Sequence, residues 1–432
     1  MEKKLSSTQI VFIKNLFFTT ILGGIIGILN YLFNIFVARY TTQEIFSTFS
    51  ATLGLVYLVQ IPATAIQSVV TKEVARNKGR DLNRYKWYSL GIFSLLGIVF
   101  STLFFLARGT IADLANIPTE TILYLAITLF FAFTSPTGKG FLLGKEKIGT
   151  VNLILLLETI MRFGMGALAV SMGGSIPILI LANSLPAMLT TLFILPLVKF
   201  KKEEAVNEDQ KIKIDFKELI LIASAFLFLS GPFMLSMPLV NPEFRAEFSA
   251  ISVLGRLVYF AAVMTASVLF ARITNESEES SQKKSLLISL LLSLTIGGVI
   301  SIIFFLFKDL VVNLTVGEQY SMIGEYIGGF GLSMTAFAFV YMSANYFISK
   351  GDYKYILIPF VGTVLQIASF MFRNDTLDMV MLNQTVIYAF MAVVTTIYLL
   401  FKLRKIKDEE KGVKQNTGGM DDDGFEPTTP TM

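Results

Sequence analysis

The sequence contains neither cysteine nor histidine. Disulfides, thiol nucleophiles, zinc sites of the Cys/His type and imidazole proton relays are thereby excluded, and no metal or other cofactor is expected. Charge is also scarce. Asp, Glu, Lys and Arg make up 16% of the 432 residues, against roughly 25% in soluble domains, too few to build a water-facing surface. A phosphate-binding loop is missing too. The nearest approach, Gly140-Phe-Leu-Leu-Gly144-Lys145-Glu146, has the wrong spacing and lacks the Ser or Thr that would hold magnesium, which excludes an ATP motor. The triplet Asp421, Asp422 and Asp423 sits in a polar tail with no fold around it to position a metal, and reads as solvated.

What the chain does have is apolar residues, at 53% of positions. They fall in blocks of about 20, enough for a helix to cross roughly 30 Å of hydrocarbon. The expected fold class is an all-α integral membrane protein with about twelve transmembrane helices. Spans are predicted at 11–38, 47–70, 87–107, 119–136, 149–170, 176–198, 217–240, 249–271, 285–307, 322–347, 355–372 and 379–401. The first block, Val11 to Val37, follows Lys3 and Lys4 but is too long for a signal-peptide core and has no cleavage site after it. It reads as a retained span.

Lysine and arginine test that count. With the N-terminus in the cytoplasm, 29 of the 36 fall on cytoplasmic segments. Five (Arg39, Arg108, Arg245, Lys308 and Arg373) fall outside, and Arg162 and Arg256 lie within spans. One missed or invented span would scramble this asymmetry, so the positive-inside rule places both termini in the cytoplasm. It also accounts for the net charge of +4 without nucleic acid as a partner.

The charged segment at mid-chain divides the sequence into an N-terminal six-helix lobe over 1–200, a cytoplasmic linker over 201–216 and a C-terminal six-helix lobe over 217–405. A tail over 406–432 is expected to be disordered. A faint repeat agrees: at an offset of 201 residues, Leu53-Gly54 matches Leu254-Gly255 and Thr64-Ala65 matches Thr265-Ala266.

Several helix breakers fall within the spans. Pro62, Pro136, Pro177, Pro186, Pro196, Pro232, Pro238 and Pro359, with Gly23, Gly24 and Gly27, mark either hinges or close packing, which Gly23-x-x-x-Gly27 would permit. The charged residues well inside spans are Glu158, Arg162 and Arg256, each costing roughly 2.5–3.5 kcal/mol at a helix centre unless it faces an interior. Glu158 and Arg162 are four apart on one helix, so either they neutralise each other or both face a cavity. Arg256 has no carboxylate in its own span. It either snorkels towards the nearby boundary or waits in a cavity for an anion. Asn30, Asn34 and Gln60, with Gln67, Asn183, Asn345, Gln366 and Asn383, could line that cavity or bond between helices.

Val37-Ala-Arg-Tyr40 leading into Thr48 to Arg76, Asn241-Pro-Glu-Phe-Arg-Ala-Glu-Phe-Ser249 with Val253-Leu-Gly-Arg-Leu-Val-Tyr259, and Val316-Gly-Glu-Gln-Tyr320 together resemble the polysaccharide-biosynthesis flippases. These are the oligosaccharide and O-antigen branch of the superfamily that also holds multidrug exporters and lipid II flippases. The resemblance implies two lobes facing each other in a V, a cationic central cavity and alternating access. It also implies a substrate, a polyprenyl-diphosphate-linked oligosaccharide moved between leaflets of the cell membrane, with a polysaccharide polymerase and glycosyltransferases as working partners beside the membrane lipids. The substrate-binding set expected on this basis is Arg256, Arg162, Glu158, Asn30, Asn34 and Gln60, with no catalytic residues. Many members carry an acidic residue on the seventh span, and Ser230 to Val240 has none.

Two rivals remain. A cation-coupled multidrug exporter of the same superfamily would need an ion-binding carboxylate in the N-terminal lobe. The first span has no Asp or Glu, and Glu158 is the candidate well inside a span there. A membrane glycan polymerase would need catalytic residues on a large outer loop, and the outer loops are short.

Overall fold

A computed structural model describes residues 7–77, 82–198, 214–275, 279–350 and 352–417. These residues are helical, with no strand among them. The first half comprises α1 (Ser7–Tyr40), α2 (Gln43–Val59), α3 (Ile61–Arg76), α4 (Asn83–Leu106), α5 (Arg108–Ala115), α6 (Thr121–Gly144), α7 (Ile148–Ser171) and α8 (Ile176–Leu197). The second comprises α9 (Phe216–Met234), α10 (Ser236–Leu239), α11 (Arg245–Asn275), α12 (Glu279–Leu306), α13 (Lys308–Leu314), α14 (Gly324–Ser349), α15 (Leu357–Phe372) and α16 (Leu377–Thr417). Twelve helical stretches are long and apolar enough to cross a membrane, and they coincide in order with the twelve predicted spans. The chain is a multi-pass membrane protein.

Local chemistry sets the ends. Thr42 caps α2 by accepting a hydrogen bond from the Ile45 amide, and Asp215 caps α9 through the Glu218 amide. The second span is one 34-residue stretch, Gln43–Arg76, broken at Gln60. Pro62 sits in the first turn of α3, where its missing N–H breaks no helical bond. Proline behaves differently on the fourth span. The predicted end at 136 is too early, because α6 runs through Pro136 to Gly144 and buries the stretch that follows, including Lys139. Similarly, α16 continues to Thr417, so it covers the start of the segment expected to be disordered. Residues 418–432 and most of the 201–216 linker lie outside the described residues.

Within the first half, α1 packs on α7, while α3, α4 and α8 pack on α6. Within the second, α11, α12 and α16 pack on α14, and α15 packs on α9 and α16. Burial separates central from peripheral helices: the windows on α6, α11 and α14 are 72% buried and that on α4 only 17%. The outward faces of α4, α12 and α16 expose Leu95, Ile98, Leu103, Leu291, Ile302, Leu382 and Phe401, as a lipid-facing surface requires. The short helices α5 and α13 start at residues 108 and 308, each directly after a long peripheral helix.

The halves meet through α2 against α9, α10 and α11, α3 against α9, and α1 against α11. Gly54 makes the α2 contact possible, since a Cβ there would lie 2.9 Å from the Met234 carbonyl oxygen and from Pro238. By contrast, among the described residues nothing lies within 4 Å of a Cβ at Gly23 or Gly27, so there these two glycines are not the packing seam their spacing allowed.

At the end carrying α5 and α13 the halves are laced by side chains reaching backbone carbonyls. Arg39 Nη1 donates to Leu314 O at 2.9 Å, Gln43 Nε2 to Gln319 O at 2.8 Å, Gln319 Nε2 to Ala38 O at 2.8 Å, and Arg245 Nη1 to Asn116 O at 3.1 Å. At the opposite end Lys72 on α3 forms an ion pair with Glu218 on α9.

Candidate functional site

Between the halves lies a cavity of about 320 Å³. Helical spacing assembles its walls. Asn30 and Asn34 are one turn apart on α1, Val253, Arg256 and Phe260 recur on one face of α11, and Phe337 and Tyr341 are one turn apart on α14. Tyr57 from α2, Arg162 from α7 and Phe233 from α9 add to the polar and aromatic lining. Both halves contribute.

Two arginines thus converge on one space. Arg162 Nη1 donates to Asn30 Oδ1 at 2.7 Å, and Asn34 Nδ2 braces the same turn by donating to Asn30 O at 2.8 Å. Arg256 is buried, at 5% exposure. Its guanidinium carbon lies 5.4 Å from the Tyr57 ring centroid and 5.1 Å from that of Phe233, within cation–π range. Among the described residues no Asp or Glu lines the cavity. The Nε atoms of both arginines are buried without a hydrogen-bond partner among the described residues. The site is therefore a partly enclosed space with two arginine side chains and spare donors, chemistry that favours an anion and disfavours a cation.

Of the predicted residues, the structure brings together Arg162, Arg256, Asn30 and Asn34. Glu158 and Gln60 do not line the cavity. Glu158 departs from expectation most. Its spacing to Arg162 suggested mutual neutralisation, yet its Oε2 accepts from Lys139 Nζ on α6 at 2.7 Å, and its Oε1 accepts from the Thr190 hydroxyl on α8. Lys139 takes the carboxylate, leaving Arg162 to reach across to α1. The reading of Arg256 as a snorkelling side chain is likewise overturned by its burial in the cavity wall. Gln366 bonds Gln384 at 2.8 Å, Asn383 bonds Arg373 O at 2.6 Å, and Asn183 and Asn345 bond back to their own helices.

Lys139 was missed because Pro136 suggested a helix end, although membrane helices tolerate proline when neighbours satisfy the freed groups. The aromatic wall of Tyr57, Phe233, Tyr259, Phe337 and Tyr341 was also missed. Its one visible signal was Tyr259, three residues from Arg256 and so on the same helical face.

No family model matches the sequence, and no curated protein matches it. Solved structures do. The lipid II flippase MurJ, in an inward closed conformation, superposes with a TM-score of 0.71 at 14% identity, covering 89% of this chain and 87% of its own. The fold resembles that of solved MOP-superfamily transporters. An inward-facing multidrug-resistance MATE transporter of that superfamily matches with a TM-score of 0.67 at 16% identity, over 88% of this chain and 95% of its own. A MOP-superfamily transporter from Pyrococcus furiosus, described as having a binding pocket of reverse polarity, matches at 0.54 and 13% identity over 91% and 94% of the two chains. At these identities the MOP likeness establishes architecture, two six-span halves about a central space, and leaves the cargo to be argued from the cavity.

Proposed function

We propose that the chain is a flippase that carries a polyprenyl-diphosphate-linked oligosaccharide from the inner to the outer leaflet of the cell membrane by alternating access, for surface polysaccharide biosynthesis. The single observation that carries this reading is a cavity with two arginines and no carboxylate. A diphosphate cannot enter hydrocarbon unaided, and two guanidinium groups offer it charge and paired donors. Outward movement of an anion is further driven by an interior-negative potential, at about 2.3 kcal/mol per charge per 100 mV. The cavity volume, about 320 Å³, is at the small end for ligand sites. It suits a diphosphate and an adjoining sugar, the rest of the glycan entering a more open state. In this reading both termini face the cytoplasm, and glycosyltransferases and a polymerase act before and after the chain.

Arg256→Ala is expected to abolish delivery of the lipid-linked glycan while the protein still accumulates in the membrane. Arg256→Lys should retain part of the activity, because an ammonium keeps the charge and loses the planar fork. Since Glu158 is held by Lys139, Arg162→Ala should also spare abundance and impair delivery. The assay is surface-glycan display in a strain lacking its own flippase, normalised to membrane protein. Normal display by Arg256→Ala at normal abundance removes the anion site from the mechanism.

A second reading, a cation-coupled multidrug exporter, draws on the buried Glu158. It requires that carboxylate to exchange Lys139 for an ion.

A further inference from the structure

Arg256 is buried in a membrane-spanning half with no carboxylate beside it, which raises the question of what holds it in place. Its guanidinium is gripped by two rings, Tyr57 at 5.4 Å and Phe233 at 5.1 Å. An aromatic ring and a carboxylate would hold an arginine in different ways. A carboxylate neutralises the charge and occupies the planar fork of N–H donors, whereas a ring attracts the cation through its π face and takes none of those donors. Arg162 shows the contrast, because its anchor, Asn30, uses one of its donors.

The two rings come from different halves. Phe233 belongs to α9, in the same half as Arg256, while Tyr57 belongs to α2 in the other. Tyr57 is itself closely registered. One turn earlier, Gly54 presses on the Met234 carbonyl and Pro238, and three residues later the helix breaks at Gln60. We propose that Tyr57 is a positioning residue that orients Arg256 across the interface between the halves, leaving its donor edge free to bind the diphosphate in plane. This rests on reading the cavity as a diphosphate site. The consequence is a state-dependent affinity. Any movement of the halves that withdraws α2 from α11 removes the Tyr57 contact, leaves Arg256 held by Phe233 alone and weakens the grip on the anion. Loading and release are then set by the same ring.

The test uses the full-length protein in lipid nanodiscs, with farnesyl diphosphate as the probe and uncharged farnesol as the control. Tyr57→Leu is expected to weaken farnesyl diphosphate binding by about 2- to 30-fold, the range that a cation–π contact of ~0.5–2 kcal/mol gives at ~1.36 kcal/mol per tenfold. Tyr57→Phe, which keeps the ring, should retain most of the affinity that Tyr57→Leu loses, and the preference for farnesyl diphosphate over farnesol should fall in Tyr57→Leu. Should Tyr57→Leu fail to accumulate, Tyr57→Met, unbranched and apolar, carries the same expectation. Wild-type protein that does not prefer farnesyl diphosphate to farnesol refutes the function proposed above, and this inference with it. Clear wild-type preference with unaltered affinity in Tyr57→Leu, or an equal loss in Tyr57→Phe, overturns the positioning role alone.

Discussion

The Lys139–Glu158 pair decides between a structural and an ion-carrying carboxylate, and its geometry gives the size of the effect. At 2.7 Å and an effective dielectric of about 20, the attraction is about 6 kcal/mol, and desolvation of two buried ions offsets most of it. The pair is therefore near neutral as a whole and expensive to break: removing one partner leaves a buried charge and costs about 3–5 kcal/mol. Lys139→Met strands Glu158 with the Thr190 hydroxyl, and Glu158→Gln strands the ammonium. Each single variant should lose monodisperse protein on heating in detergent well below the wild-type transition. The double variant Lys139→Met/Glu158→Gln should recover most of the loss, because no buried charge remains, giving a coupling of at least ~2 kcal/mol. Thermostability by size exclusion reads this directly. Additive losses would refute the pairing argument. A Glu158→Gln protein as stable as the wild type, transporting yet indifferent to the proton gradient, would instead support the cation-coupled reading.

Because the chain has no cysteine, topology can be probed without background. Gly109→Cys and Asn241→Cys, both at the α5/α13 end, should label from outside with an impermeant thiol reagent, and Asn77→Cys and Asn207→Cys should be protected; reversal at any of the four refutes the orientation. Between the tenth and eleventh spans, Asp352 accepts from Lys402 Nζ at 2.5 Å and from the Tyr398 hydroxyl at 2.9 Å. Burial alone would raise its carboxyl, but the Lys402 and Tyr398 bonds outweigh that and hold it below the usual carboxylate range. A depressed folded-state value means stability present at neutral pH and lost as pH falls through it. The advantage of wild type over Asp352→Asn, about 1 kcal/mol or less for a partly exposed pair, should shrink between pH 7 and about pH 3. An advantage that stays constant across that range would refute it.

The number and order of spans were legible because hydropathy and charge asymmetry are sums over many residues, and a local misreading at Pro136 or Gln60 does not change them. Helix ends were less legible. The fourth span was ended at Pro136, yet α6 continues for eight residues, while Pro62, read as a breaker inside one span, lies where α2 and α3 meet. The same residue type breaks a helix or passes through it depending on whether neighbouring helices supply what the missing N–H took away, and a single sequence does not display those neighbours.

Pairing was the least legible level. Spacing placed Glu158 and Arg162 on one helical face, and that inference holds as geometry. It failed as chemistry because a partner from another helix, Lys139, competes for the carboxylate and wins. Sequence periodicity ranks partners on the same helix and says nothing of those on the neighbouring one. Arg256 was read differently for the complementary reason. With no carboxylate in its own span, it had no local partner to be misled by, and the structure places it in the cavity wall, where the proposal assigns it an anion. An intramembrane charge without an intrahelical partner is thus the more informative signal, and the ring that steadies it, Tyr57 from the opposite half, is the part that only the packed halves reveal.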